Sequence, residues 1–290
     1  MKYLIFGKDG WLANKIKDYL EDAIVSDVDC LDLPAIRREL DEKKPEIVIN
    51  AAGITGRPNI DWCEDHKMET IAGNVTVPLN ILEACQERNI YMVHFGSGCI
   101  FQGDGPDGKG FPVQGGPATG WKEDDEACPP SFYSWTKYWA DSILKHFPVL
   151  ILRLRMPVDT ENNPRNLINK LAKYKQVWNP QNSITIIQDL LDVLKKMTDM
   201  RKTGVYHVAN PGTIGPAEIM ELYQKIVDPE HKFEKIETEE LYTKGLAKAV
   251  RSNCVLNTDK LAGEGIILKP VKERIVEVLE EYKRHITQNM

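Results

Sequence analysis

The stretch "SFYSWTKYWADSIL" (131–144) repeats its apolar residues at helical spacing and sets Tyr133 and Lys137 four positions apart. On a helix those two side chains share a face. A phenol has a pKa of about 10 and is a poor acid at neutral pH. An adjacent ammonium stabilises the phenolate, so proton exchange with a carbonyl or alkoxide becomes easier. The competing reading is amphipathic packing, with Tyr133 half-buried and Lys137 solvated. Other residues bear on the choice. Ser97 ends the apolar run "YMVHFGS" (91–97), and a hydroxyl there could hold the same substrate oxygen.

These groups need elements that bring them to one edge. Strands are expected at "KYLIFG" (2–7), "AIVSDV" (23–28), "EIVINAA" (46–52), "YMVHFGS" and "VLILRLR" (149–155), with helices near 11–20, 34–43, 64–88 and 132–146. Alternation of apolar strands with helices predicts an α/β fold, a Rossmann-type doubly wound parallel sheet. Ligands of such sheets bind outside the carboxyl ends of the strands, where Ser97 falls. After residue 157 the alternation fades. The expected division is a dinucleotide-binding domain over 1–158 and a smaller α+β substrate lobe over 159–290. A return segment near 183–210, with the strands "SITII" and "GVYHVAN", is expected to pack on the sheet. The glycine-rich segment 102–130 is far longer than an ordinary strand–helix connection, and is either a lid or a surface insertion.

"GKDGWLA" (7–13) joins the first strand to the first helix. Gly7 and Gly10 allow a tight turn and close backbone approach. The helix N-terminus at Trp11 and Leu12 then offers N–H groups to a pyrophosphate. After the second strand, Asp29 or Asp32 could accept a hydrogen bond from the adenine amino group. Lys8, with Asp9 beside it, stands where an ammonium could meet a ribose 2′-phosphate. This points to NADPH, with NADH as the alternative and a solvated loop lysine as the plain reading.

Bulk composition narrows the partners. A chain of 290 residues with 42% hydrophobic content can bury a real core, and a net charge of −6 speaks against nucleic acid or acidic membranes. Six scattered cysteines (30, 63, 85, 99, 128, 254) lack metal spacing and read as reduced thiols, with no metal site. "MKYLIFGKDG" is interrupted too soon for a signal peptide and no uncharged run approaches bilayer length, so a cytoplasmic protein is expected.

Together "GKDGWLA", "NAAG" (50–53), Ser97 and "YSWTK" (133–137) resemble the short-chain dehydrogenase/reductase superfamily in order and spacing. Longer strings narrow the likeness. "NAAGITGRPNIDWCEDHKMETIAGNV", "GCIFQGDG", "SFYSWTK", "LRLRMPV", "NNPRNLINK" and "RSNCVLNTDKL" are similar to the bifunctional UDP-4-keto-6-deoxyglucose 3,5-epimerase/4-reductases that complete UDP-L-rhamnose synthesis. More distantly, the chain resembles dTDP-4-dehydrorhamnose reductase and GDP-L-fucose synthase.

The resemblance implies roles. Ala51, Ala52 and Gly53 would line the cofactor. Tyr133 would protonate the C4 oxygen, Ser97 would hold that oxygen, and Lys137 would tune the tyrosine and grip the nicotinamide ribose. Cys99, two positions after the serine, and Lys170 in "NNPRNLINK" would carry protons at C3 and C5. Asn74, Thr55, Arg57, Asn163, Arg165, Asn166 and Arg251 would serve the sugar nucleotide, for which an arginine fork suits a diphosphate. A separate UDP-glucose 4,6-dehydratase would supply the substrate, and a homodimer is expected by analogy. The alternatives are a pure dTDP-4-dehydrorhamnose reductase, with Cys99 and Lys170 as bystanders, and a non-catalytic NADP-binding regulatory subunit.

Overall fold

The chain is described by a computed structural model over residues 2–106 and 120–288. In chain order the first half runs β1 (Tyr3–Phe6), α1 (Trp11–Tyr19), β2 (Ala23–Val25), α2 (Leu33–Lys43), β3 (Ile47–Asn50), α3 (Asp61–Asp65), α4 (Lys67–Ile71), α5 (Val77–Gln86), β4 (Tyr91–Ser97), α6 (Phe132–Leu144) and β5 (Val149–Leu154). The second half runs α7 (Leu167–Leu171), β6 (Gln176–Trp178), β7 (Asn182–Ile184), α8 (Ile187–Asp199), β8 (Gly204–Val208), β9 (Asn210–Ile214), α9 (Pro216–Ile226), β10 (Glu234–Ile236), α10 (Thr238–Thr243), α11 (Asp259–Gly263) and α12 (Val271–Gln288).

Six strands form one parallel sheet in the order β2-β1-β3-β4-β5-β8. Every residue of β1 ("YLIF") and β3 ("IVIN") is buried, which is why these strands are apolar at successive positions rather than at alternate ones. β1 pairs in parallel with β2 on one side and β3 on the other. The chain therefore reverses its direction of winding between β1 and β3, and the carboxyl ends of those two strands flank the crevice where such sheets take ligands. The expected "GVYHVAN" strand is β8, the sixth member of the sheet, while "SITII" gives β7, antiparallel to β9.

The helix expected over 64–88 is broken into three. His66 leaves helical geometry between α3 and α4, and a π-helical turn over Ala72–Thr76 separates α4 from α5. Pro78 in the first turn of α5 lacks an N–H, so the ordinary hydrogen-bond ladder cannot run through this point.

Two compact units interleave along the chain rather than parting at residue 158. One comprises 1–100, 129–153 and 194–206; the other comprises 101–128, 154–193 and 207–290. The first buries Leu4, Phe6, Ile36, Ile81, Met92 and Leu144 among its core residues. The second has its own core around Ile168, Ile186, Ile219, Met220, Ile275 and Leu279. The 102–130 insertion belongs to the second unit up to residue 128, with Gly103 bridging to Cys254 and Trp121 to Leu256, while 129–130 fall in the first. Its middle, 107–119, lies outside the described residues, and the choice between lid and surface insertion falls there. All six cysteines are free thiols. Among the described residues, no helix is long and apolar enough to cross a membrane.

Candidate active site

The loop after β1 is built from bare backbone. Gly7 has φ +120°, and a Cβ there would stand 2.8 Å from the Ala52 nitrogen and 2.9 Å from the Ala51 carbonyl carbon. The Gly10 N–H donates to the Gly7 carbonyl at 2.7 Å, and a Cβ at Gly10 would lie 2.8 Å from that oxygen. Glycine is therefore needed at both positions by direct collision, and at Gly7 by conformation as well. The loop lies against Ala51-Ala52, next to Gly53, and opens α1 at Gly10, whose cap has no side-chain hydrogen bond. The first-turn N–H groups at Trp11 and Leu12 are thus left for an anion. This cradle fits the pyrophosphate of a dinucleotide.

Lys8 and Asp9 are exposed at the loop tip. Sequence reading overlooked the partner of Lys8: its Nζ lies 3.9 Å from the Asp27 carboxylate and 3.4 Å from the Asp27 carbonyl. The two adenine candidates both have local work. Asp29 is exposed and accepts from the Leu31 N–H at 2.9 Å, while Asp32 caps α2 by accepting from the Ala35 N–H at 3.0 Å.

α6 starts at Ser131, whose hydroxyl accepts the Ser134 N–H at 3.2 Å, and it packs against β4 and the short turn Gly98–Ile100. That packing brings Tyr133, Lys137, Ser97 and Cys99 into the same unit. The solvated-lysine reading fails, because Lys137 is only 6% exposed and its ammonium donates to the Phe95 carbonyl at 2.9 Å. Burial holds its pKa below the ordinary lysine value; Asp141, one turn on, and Cys99 pull it back up. Cys99 is therefore within electrostatic reach of Lys137. It is buried, and its N–H donates to the Ser97 hydroxyl at 3.3 Å. Tyr133 is half-buried, and its carbonyl accepts from the Thr136 hydroxyl at 2.8 Å.

Asn74 sits in the π-helical turn and is buried. Its oxygen accepts the Ile54 N–H at 2.8 Å, and its two amide hydrogens go to the Ile54 carbonyl at 2.9 Å and the Thr136 hydroxyl at 3.1 Å. Both amide hydrogens of Asn74 are thus used to fasten the segment after "NAAG" to α6, which suits a residue that supports the site.

Beneath this lies a relay the sequence reading missed. Asn50 accepts the Ala52 N–H at 3.0 Å, which turns its amide nitrogen towards His94 Nδ1, also at 3.0 Å. His94 therefore accepts at Nδ1 and carries its proton on Nε2, a buried atom with no partner among the described residues. Burial and the nearby Lys137 push its pKa well below the ordinary histidine value, so the ring is neutral. The available signal was a histidine in the buried middle of a strand, flanked by apolar residues on both sides.

In the second unit, Lys170 lies on α7 and is half-buried. Burial, with Arg165 adding to it, holds its pKa below the usual lysine value. Asn163 is half-buried, and its side-chain oxygen accepts the Arg165 N–H at 2.9 Å. Asn166 is corrected as a ligand contact. It is fully buried; its oxygen accepts the N–H groups of Asp159 and Ile168, and its amide donates to the carbonyls of Asp159 and Glu161. Its hydrogen-bonding capacity is fully used in shaping the loop. Arg251 is half-buried, and its backbone N–H donates to the Tyr242 hydroxyl at 2.9 Å. Thr55 and Arg57 are exposed after β3, in the first unit.

Comparison with known proteins gives this geometry a context. The family model described as RmlD substrate binding domain matches residues 1–284. A bifunctional dTDP-4-dehydrorhamnose 3,5-epimerase/dTDP-4-dehydrorhamnose reductase of Arabidopsis thaliana is 36% identical over 286 residues, covering 96% of this chain and 92% of its own. A trifunctional Arabidopsis protein, named as a UDP-glucose 4,6-dehydratase/UDP-4-keto-6-deoxy-D-glucose 3,5-epimerase/UDP-4-keto-L-rhamnose-reductase, is 37% identical over 95% of this chain, but this match covers only 41% of that protein. Among solved structures, the L780 UDP-rhamnose synthase of Acanthamoeba polyphaga mimivirus superposes with a TM-score of 0.88 at 32% identity, covering 97% of this chain and 99% of that one. The dTDP-4-dehydrorhamnose reductase of Bacillus anthracis, solved in complex with NADP, shares the fold at a TM-score of 0.77 and 20% identity, covering 99% of each chain.

Proposed function

Because the chain belongs to the RmlD substrate binding domain family, matched over residues 1–284, we propose that it is an NADPH-dependent 4-reductase that also epimerises C3 and C5. It would convert UDP-4-keto-6-deoxy-D-glucose to UDP-L-rhamnose in the cytoplasm. One observation supports the reading most. Lys137 is buried one turn from Tyr133, on the helix that packs against the strand end bearing Ser97 and Cys99. A binding-only module has no use for a desolvated ammonium beside a phenol.

A ketone at C4 acidifies the hydrogens at C3 and C5, so each inversion needs a base on one face and an acid on the other. Cys99 and Lys170 are assigned as these proton carriers. The lowered pKa of Lys170 raises its neutral, basic fraction at working pH. The Gly7–Gly10 cradle would hold NADPH, and the cofactor when bound would supply the hydride for C4. Tyr133 gives its phenolic proton to the C4 oxygen, and Ser97 donates a hydrogen bond to the same atom. The Lys137 ammonium stabilises the phenolate that forms, which lowers the barrier to proton release. His94 stays neutral and adds no competing charge beside it.

The choice of UDP over dTDP leans on the mimivirus relative, a UDP-rhamnose synthase by name, whereas the bifunctional Arabidopsis relative is named for dTDP sugars. A separate dehydratase would make the 4-keto substrate. The assembly is proposed as a homodimer through the exposed stripe Trp135, Trp139 and Ile143 on α6, which sedimentation would detect.

The deciding experiment incubates the protein with UDP- and dTDP-linked 4-keto-6-deoxyglucose and NADPH in heavy water. UDP-L-rhamnose carrying deuterium at C3 and C5 is the expected product. Reduction with no deuterium at either carbon would remove the epimerase half, and no NADPH oxidation with either sugar would remove the enzyme.

A further inference from the structure

Two arginines two positions apart, at the end of β5, have opposite surroundings. Arg153 is 5% exposed, and its Nε donates to the Asp141 carboxylate at 2.8 Å, a buried ion pair. Arg155 is 8% exposed and has no carboxylate partner among the described residues. Its Nε and Nη2 both donate to the Asn182 side-chain oxygen, at 3.2 and 2.6 Å, and Nη2 also donates to the Ser252 carbonyl. The same Asn182 oxygen takes the Cys254 N–H at 3.0 Å. Neutral dipoles hold the guanidinium in place but leave its whole positive charge uncompensated.

A buried cation is costly unless it is paired. The remaining nitrogen, Nη1, makes no hydrogen bond among the described residues, yet it is not one of the sealed orphan atoms, so it opens to solvent. Arg155 is thus a largely buried cation held by neutral groups, with one nitrogen left over. The carbonyl it grips belongs to Ser252, next to Arg251, so the same side chain anchors the segment carrying a second arginine.

We infer that Arg155 is an anion-binding residue for the diphosphate of the nucleotide sugar, with Nη1 as the presented donor and Asn182 as the neutral clamp that keeps the charge available. Guanidinium suits this task because its planar fork can point two donors inward and still offer another to a phosphate oxygen. The inference rests on the nucleotide-sugar reading only for the ligand's identity. The uncompensated charge stands by itself.

The test is calorimetric titration of the NADPH-saturated protein, so that the glycine cradle is already filled, with inorganic pyrophosphate, UDP and dTDP. Arg155→Met should weaken pyrophosphate and UDP binding by about 10- to 100-fold, the range for a hydrogen bond to a charged group. Arg155→Lys should fall between. Asn182→Asp is nearly isosteric and supplies the missing carboxylate; it should leave the fold intact and weaken both ligands about tenfold or more. This second variant decides the matter if Arg155→Met does not fold. Unchanged pyrophosphate affinity in folded Arg155→Met or in Asn182→Asp overturns the inference, as does a wild type that binds neither pyrophosphate nor a nucleotide. A wild type that binds pyrophosphate through Arg155 but ignores both UDP and dTDP keeps the inference and retires the nucleotide-sugar reading.

Discussion

The glycine cradle after β1 and the clamp around Arg155 both suit phosphate, but they are built in opposite ways. The cradle is main chain: its glycines lie three positions apart, and its fit comes from the absence of side chains at Gly7 and Gly10. The clamp centres on two side chains, Arg155 and Asn182, with one main-chain carbonyl at Ser252, and so joins distant stretches of sequence. A main-chain site tolerates little substitution but needs few residues, whereas a side-chain site is spread out and can be tuned by single charges. The chemistry divides along a similar line. The residues proposed for reduction, Tyr133, Lys137 and Ser97, all lie in the first unit, whereas Lys170, proposed for epimerisation, belongs to the second.

That division can be broken most sharply at Tyr133. Tyr133→Phe should lower kcat for reduction by roughly 10²- to 10⁴-fold while deuterium still enters C3 and C5. Loss of both together would make the separation of duties wrong. Cys99→Ser should do the reverse. It should lower the rate of deuterium entry by about 10²-fold or more yet spare reduction of an already epimerised sugar, as followed by NADPH absorbance. Gly7→Ala probes the cradle: forcing a side chain into φ +120° against the Ala52 nitrogen should cost about 1–3 kcal/mol of stability and weaken NADPH, with UDP binding retained.

Lys137→Met tests what the buried ammonium costs the fold. Because the folded pKa of Lys137 lies below the unfolded value, the unfolded chain holds more protons between the two. Wild-type stability therefore rises with pH across that window. The penalty is fully present below the folded pKa and fades towards the unfolded value of about 10.4. The variant should melt higher than wild type at pH 7, with the gain shrinking as pH approaches 10, and should lose reduction at every pH. An equal Tm at pH 7 would show that the site compensates the charge. The smallest effect is expected at Asp27. Asp27→Asn frees Lys8 from an exposed carboxylate and should lower the KM for NADPH a few-fold, about what an exposed pair is worth, with less change for NADH.

The sheet was legible because its central strands are buried and so appear as largely apolar runs, with "YLIF", "IVIN" and "VLILRL" falling close to their expected limits, whereas the half-exposed β2 is shorter than expected. The Tyr133–Lys137 pair and the glycine loop were legible because each is local, one helical turn or one β-turn long. What escaped reading is non-local. Nothing in "LRLRMPV" says which arginine has a carboxylate, since Asp141 and Asn182 lie on other elements. The relay from Ala52 through Asn50 to His94 depends on the pairing of β3 with β4. Asn74 and Asn166 look like ligand contacts in sequence because asparagine is polar in both roles. Only the filled complement of Asn166, and the use of both Asn74 amide hydrogens, shows that they brace the structure.

The π-helical turn at Ala72–Thr76 means that this stretch carries one residue more than regular winding would hold. Deleting a single residue there would let α4 run into α5 as a normal helix and would swing everything on its upstream side by about 100°. Asn74 would then lose Thr136, and the strap between the cofactor edge and α6 would come undone without any change to Tyr133, Lys137 or Ser97. Alignment of the reaction centre is in this sense governed by a surplus in helical count, a quantity that point substitutions leave untouched and length changes do not.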